Sequence, residues 1–148
     1  MTLDLQLIHY RELNSRQKEN YNYQKVAAVL ADYGFVTLRL SDDWQGADFI
    51  AQHIDGETFL RVQLKGRLSF ARKYLGKDLY IAFEHLGSWY LYPHDEFLET
   101  VTRQTNTISG TLSWEERGNY SFNTLSLQLQ ELLAPFRIGP IQTGHDEA

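Results

Sequence analysis

Hydrophobic and polar positions along the chain fall into blocks of two periods. Over residues 15–33 apolar side chains recur every three to four positions (Tyr23, Val26, Ala27, Leu30), which predicts a helix with one buried stripe. Asn14 or Ser15 supplies its N-cap and Gly34 its stop. Glu19 falls on the same stripe, so its carboxylate must meet a cation, a hydrogen bond or water, or else sit at a solvated end. The period then changes to two. FVTLRLS (35–41) reads as a strand with Val36, Leu38 and Leu40 on one face, and SDDWQG as a turn-rich connection. DFIAQHI (48–54) and TFLRVQLK (58–65) read as strands joined by a hairpin turn at DGE, with Arg61, Gln63 and Lys65 sharing one face. LYIAFEHLGSWYLYP predicts two further strands meeting near residues 85–87.

Beyond Pro93 the strand pattern stops. HDEFLETVTRQ predicts a short helix with acidic residues in its first turn, where they suit the helix dipole. Residues 105–122 read as irregular, with a strand around 111–114. NTLSLQLQELLAPF predicts another helix, turning Leu125, Leu129, Leu132 and Leu133 inward and ending at Pro135; a frayed tail is expected over 139–148. The order, αβββ(β)αα, fits a single α+β or α/β domain over 1–148 with a central mixed sheet.

Composition narrows the class. With 148 residues, 43% of them hydrophobic, the chain can build one real core, and with no cysteine it can form neither disulfides nor thiolate metal sites. No run approaches the roughly 20 apolar residues of a membrane span, and the opening MTLDLQLIHYRELN lacks the pattern of a secretory leader. A cytoplasmic protein without membrane contact is expected. The formal charge of −5 is uneven: residues 61–77 carry Arg61, Lys65, Arg67, Arg72, Lys73 and Lys77 without an acid, so +6 there leaves −11 elsewhere. One basic stripe on an acidic chain suits either a polyanion met along one face or a solvated surface.

The polar residues then form a constellation. Asp48 opens one hairpin strand and Gln63 and Lys65 close its partner, so the three converge at one sheet end, with Glu19 as a second acid. Such hard oxygen donors suit Mg²⁺. GADFIA (46–51), RVQLKGR (61–67) and the Glu19 helix resemble the Gly-x-Asp strand, the following strand and the first-helix acid of the PD-(D/E)XK nuclease superfamily, in its Q-x-K variant. The likeness is to Mrr-type restriction enzymes, Holliday-junction resolvases and small homing endonucleases, and it spans about residues 15–92. Ala47 stands at the proline of the family's motif, and Gln63 replaces an acid, which removes one negative charge and makes Glu19 more necessary.

The resemblance implies a restriction-endonuclease-like αβββαβ core with a mixed sheet flanked by helices, and a metal-dependent DNA endonuclease leaving 5′-phosphate and 3′-hydroxyl ends. It implies Mg²⁺, with Mn²⁺ substituting, on Asp48, Gln63, the Leu64 backbone carbonyl and Glu19. Lys65 would orient the attacking water and stabilise charge on the phosphorus. Arg61, Arg67, Arg72, Lys73 and Lys77 would contact phosphates of double-stranded or branched DNA. A homodimer or larger assembly would cut both strands, and 93–148 would form a helical extension for assembly or DNA contact. A catalytically inactive relative that binds nucleic acid or a protein partner fits the same residues. So does, with less to support it, a ligand-binding domain using Trp89, Tyr90 and Tyr92. His94, Asp95 and Glu96 read as a helix cap, His9, His53 and His85 have no ligand-like spacing, and Asp42 or Asp43 is a rival metal ligand. No P-loop or dinucleotide fingerprint is present.

Overall fold

A computed structural model describes residues 2–141, with the backbone alone of Asp43 and Trp44. After a 3₁₀ turn at Tyr10–Glu12, helix α1 (Ser15–Ala31) starts from a capping box: Asn14 accepts from the Gln17 N–H while the Gln17 side chain accepts from the Asn14 N–H. Val26, Val29 and Leu30 are its buried stripe. Glu19 is exposed, so it faces a cleft instead of the core.

Strand β1 (Phe35–Trp44) runs longer than its apolar pattern predicts, through Ser41 and Asp42. The reason lies in the turn: Gln45 and Gly46 both have positive φ (55° and 87°), which matches the two-residue hairpin loop whose twist suits antiparallel strands. Trp44 therefore still pairs with Ala47, the first residue of β2 (Ala47–His53). Strand β3 (Phe59–Leu64) returns antiparallel to β2 after a turn in which Asp55 Oδ1 accepts from the Glu57 and Thr58 amides. Those bonds hold the Asp55 carboxyl at about 2, below its usual range.

The chain then crosses over to β5 (Leu79–His85), parallel to β3, and turns at Leu86–Gly87 into antiparallel β6 (Ser88–Pro93). Residues 65–78 hold β4 (Ser69–Ala71) and a 3₁₀ turn at Arg72–Tyr74, where a crossover helix would be the simplest connection. The turn ends at Leu75, whose backbone is already extended, and Gly76 and Asp78, both at positive φ, lead the chain into β5. Helix α2 (His94–Gln104) follows as expected. The predicted strand at 111–114 is instead the approach to a π-helical turn at Ser113–Arg117, and β7 (Asn119–Ser121) pairs with β4. Helix α3 (Leu127–Leu133) is capped by Ser126. Part of the expected tail is ordered structure: β8 (Arg137–Gly139) pairs with β6, while residues 142–148 lie outside the described residues.

The main sheet has the order β1-β2-β3-β5-β6-β8. α1 covers one face, over Phe49, Ala51, Val62, Ala82 and Trp89. The other is covered by α2, α3 and the small β4–β7 sheet, around Phe70, Tyr92 and Phe97, but only over its β5–β6 half. Val36 and Leu38 on β1 and Phe59 on β3 remain exposed. No helix among the described residues is long and apolar enough to cross a membrane.

Candidate active site

The hairpin β2–β3 and the turn before it bring the predicted residues together. Gly46 is required on two grounds: its φ is +87°, and a Cβ there would meet Leu79 Cδ1 at 2.8 Å and the Tyr74 ring at 3.1 Å. The next position but one is Asp48, half-buried, whose Oδ2 accepts from the Leu64 amide at 2.8 Å. That bond sets the carboxylate at the end of β3, beside Gln63 and Lys65, the two neighbours of Leu64 in the chain. The Gln63 amide nitrogen lies 3.5 Å from the Leu64 carbonyl, at the outer limit of a hydrogen bond.

Asp48 and Leu64 line a cleft of about 800 Å³ together with Glu19 of α1, Asp42 of β1, Arg16 and Arg39. Arg39 is held over the Tyr23 ring (5.0 Å to the centroid) and donates to Asn20. The two arginines were not legible as site residues. Arg39 falls on a polar position of the FVTLRLS alternation, where a charge draws no notice, and Arg16 follows the helix cap without distinction. Asp42 lines the cleft and remains a rival acid; the Asp43 side chain lies outside the described residues.

Lys65 points to the other side of the sheet end, as successive strand residues must. Its Nζ lies 5.4 Å from the Tyr74 ring centroid, and Lys73 Nζ approaches the same ring at 5.3 Å. These two line a second groove of about 520 Å³ with Arg67, Arg72 and Arg117. Arg72 stacks on Trp114 (5.1 Å) and pairs with Glu115 (3.1 Å), and Arg67 donates to Asn123. The structure thus gathers Lys65, Arg67, Arg72 and Lys73 and adds Arg117 from a segment that reads as irregular. Two expected phosphate contacts stand apart: Arg61 Nη1 donates to the Lys77 carbonyl (3.1 Å), and Lys77 Nζ to Gln45 Oε1 (3.0 Å).

His94 corrects another expectation. It is no helix cap: fully buried, it accepts the Ala71 N–H at Nε2 (3.0 Å), which leaves its proton on Nδ1 to be donated to Asp95 Oδ1 (2.7 Å). Asp95 Oδ2 in turn accepts from the Gly76 amide (2.9 Å). Burial lowers the His94 pKa, against the pull of Asp95. Its ring meets Tyr74 edge-on at 5.5 Å, so the histidine supports the platform beneath Lys65. Among the described residues no group of three or more His, Asp or Glu stands close enough to form a metal cluster by side chains alone.

Solved structures similar to this chain include two. One is the Holliday junction resolvase Hjc of Archaeoglobus fulgidus, 19% identical, with a TM-score of 0.40, covering 47% of this chain and 74% of its own. The other is a bacterial homing endonuclease, 18% identical, with a TM-score of 0.43, covering 57% of this chain and 69% of its own. No family model and no curated protein matches.

Proposed function

We propose that the chain is a metal-dependent endodeoxyribonuclease. The observation that carries this reading is the position of Asp48, pinned by the Leu64 amide where a carboxylate-bearing cleft and a cation-lined groove meet. A phosphodiester laid across that junction would meet oxygen donors on one side and lysine and arginine on the other.

The donor set fits a hard divalent ion. Asp48 and Glu19 offer carboxylates, Gln63 an amide oxygen and Leu64 a carbonyl, with no nitrogen or sulfur ligand among them. So few protein oxygens suit Mg²⁺, or Mn²⁺ in its place, which keeps several waters and shares phosphate oxygens. When bound, such an ion offsets phosphate charge and acidifies a coordinated water. Lys65 would donate to the oxygen on which charge develops and hold the attacking water in line. Arg67, Arg72, Lys73 and Arg117 would fix neighbouring phosphates of double-stranded or branched DNA; attack of water on phosphorus with cleavage of its bond to the 3′ oxygen, which takes up a proton as it leaves, would give 5′-phosphate and 3′-hydroxyl ends. Cutting both strands would take two copies.

A second reading has its own support. Asp48 bonds the Leu64 amide and Lys65 rests on Tyr74, so both residues also serve the fold, as they would in a nucleic-acid binder without turnover. Incubating supercoiled plasmid and a four-way junction with Mg²⁺, Mn²⁺ or EDTA separates the two. Nicking that needs metal and vanishes in Lys65→Ala supports the nuclease. Binding that persists in EDTA without any cutting sinks it in favour of the binder.

A further inference from the structure

Residues 2–8, TLDLQLI, have the period of a strand but no strand partner among the described residues. Leu3, Leu5 and Leu7 alternate with Asp4 and Gln6, and they are 72%, 82% and 100% exposed. The following 3₁₀ turn is fastened to α1: Tyr10 meets the Tyr21 ring at 5.2 Å, and Asn22 donates to its hydroxyl at 2.8 Å. The segment before it is therefore presented, extended and apolar along one side.

At the sheet margin stands its complement. β1 is the edge strand, and its outer backbone has no strand partner among the described residues. Val36 and Leu38, each 67% exposed, project from the face that α2 and α3 leave bare, with Ile50 paired to Leu38 behind them. Thr37 and Arg39 project from the opposite face. An exposed edge with an apolar face is a template for another strand.

We propose that residues 2–8 of one copy add as a further strand to the β1 edge of a second copy. Leu3, Leu5 and Leu7 then extend the Val36–Leu38 face, and Asp4 and Gln6 fall on the face of Thr37 and Arg39, where acid meets guanidinium. Backbone hydrogen bonds supply the register and the leucines the burial. Made reciprocally, the exchange closes a two-fold dimer. This surface is independent of whether the junction at Leu64–Lys65 cuts DNA.

Sedimentation equilibrium at micromolar concentration, without DNA or metal, tests it. The unmodified chain is expected to be a dimer; Leu5→Asp/Leu7→Asp and, separately, Val36→Lys/Leu38→Lys should each weaken association by about tenfold or more, since each removes two apolar side chains from the joint. All four positions are exposed, so folding, checked by circular dichroism, should be unchanged. The chain has no cysteine, so Leu5→Cys chains mixed with Leu38→Cys chains should link through a short bis-maleimide. A monomeric unmodified chain, variants that associate as before, or linkage found only within a doubly substituted chain would overturn the proposal.

Discussion

The two hollows that meet at the end of β3 differ in charge and in how they are built. The cleft under α1 mixes the carboxylates of Glu19, Asp42 and Asp48 with Arg16 and Arg39, and its walls are α1 and the long β1–β2 hairpin. The groove on the other side carries Lys65, Arg67, Arg72, Lys73 and Arg117, and its walls are the short β4–β7 sheet and two tight turns. Leu64 and Lys65 are adjacent in sequence yet line different hollows. Strand alternation thus places neighbours in the chain on two differently charged walls, with no domain boundary needed between them.

That separation can be broken most sharply at Lys65. Lys65→Ala should reduce cleavage by about two to three orders of magnitude while DNA binding in EDTA falls only slightly; equal losses in both would mean that the two walls do not divide the work. Next comes the groove. Replacing Arg67, Arg72 and Lys73 by Gln should weaken DNA binding and flatten its salt dependence, by a slope of about one for each phosphate no longer neutralised. The same change at Arg61 and Lys77, whose donors are engaged by the Lys77 carbonyl and by Gln45, should leave the slope unaltered.

The groove's support gives a smaller effect. His94→Leu leaves the Ala71 amide unsatisfied in the core and should cost about 1–3 kcal/mol in chemical denaturation. Because the folded histidine titrates below its unfolded value of about 6.5, the unfolded chain takes up the proton first. Its contribution is full above that pH and is lost as pH falls through and below it, so the unmodified protein should melt lower in mild acid while His94→Leu loses that part of the dependence. The finest distinction concerns the cleft. Asp48→Asn keeps an oxygen for the Leu64 amide and should lose metal binding at little cost in stability. Asp48→Ala should lose both, by a further ~1 kcal/mol in thermal melting.

The elements that frame the acid wall were more legible in the sequence than those that frame the basic one, for physical reasons. α1, β2 and β3 bury one stripe or face each, so their periods show, and Asp48, Gln63 and Lys65 stand out against them; β5 and β6, covered on both faces, read as strands from near-continuous apolar runs. The groove is assembled from pieces too short to have a period. β4 and β7 are three residues each, and Arg117 sits in a π-helical turn that begins like a strand. His94 follows a proline at a helix start, where a cap is the local expectation; its true partner, the Ala71 amide, lies 23 residues away. Ser41 and Asp42 read as a loop because the hairpin geometry that keeps them extended comes from Gln45 and Gly46, not from their own side chains.

Gly46 also bears on how this protein could be traced among distant relatives. Its site admits no side chain, for Leu79 and Tyr74 already occupy the space and the backbone is left-handed. A lineage that gave up cutting could replace Lys65 in a single mutational step and keep its shape, whereas replacing Gly46 would require the turn and the core beneath it to be rebuilt. The glycine is therefore a record of inherited architecture and the lysine a record of chemistry. A search keyed on the first retrieves cousins of this shape whatever they do; the second sorts them by trade.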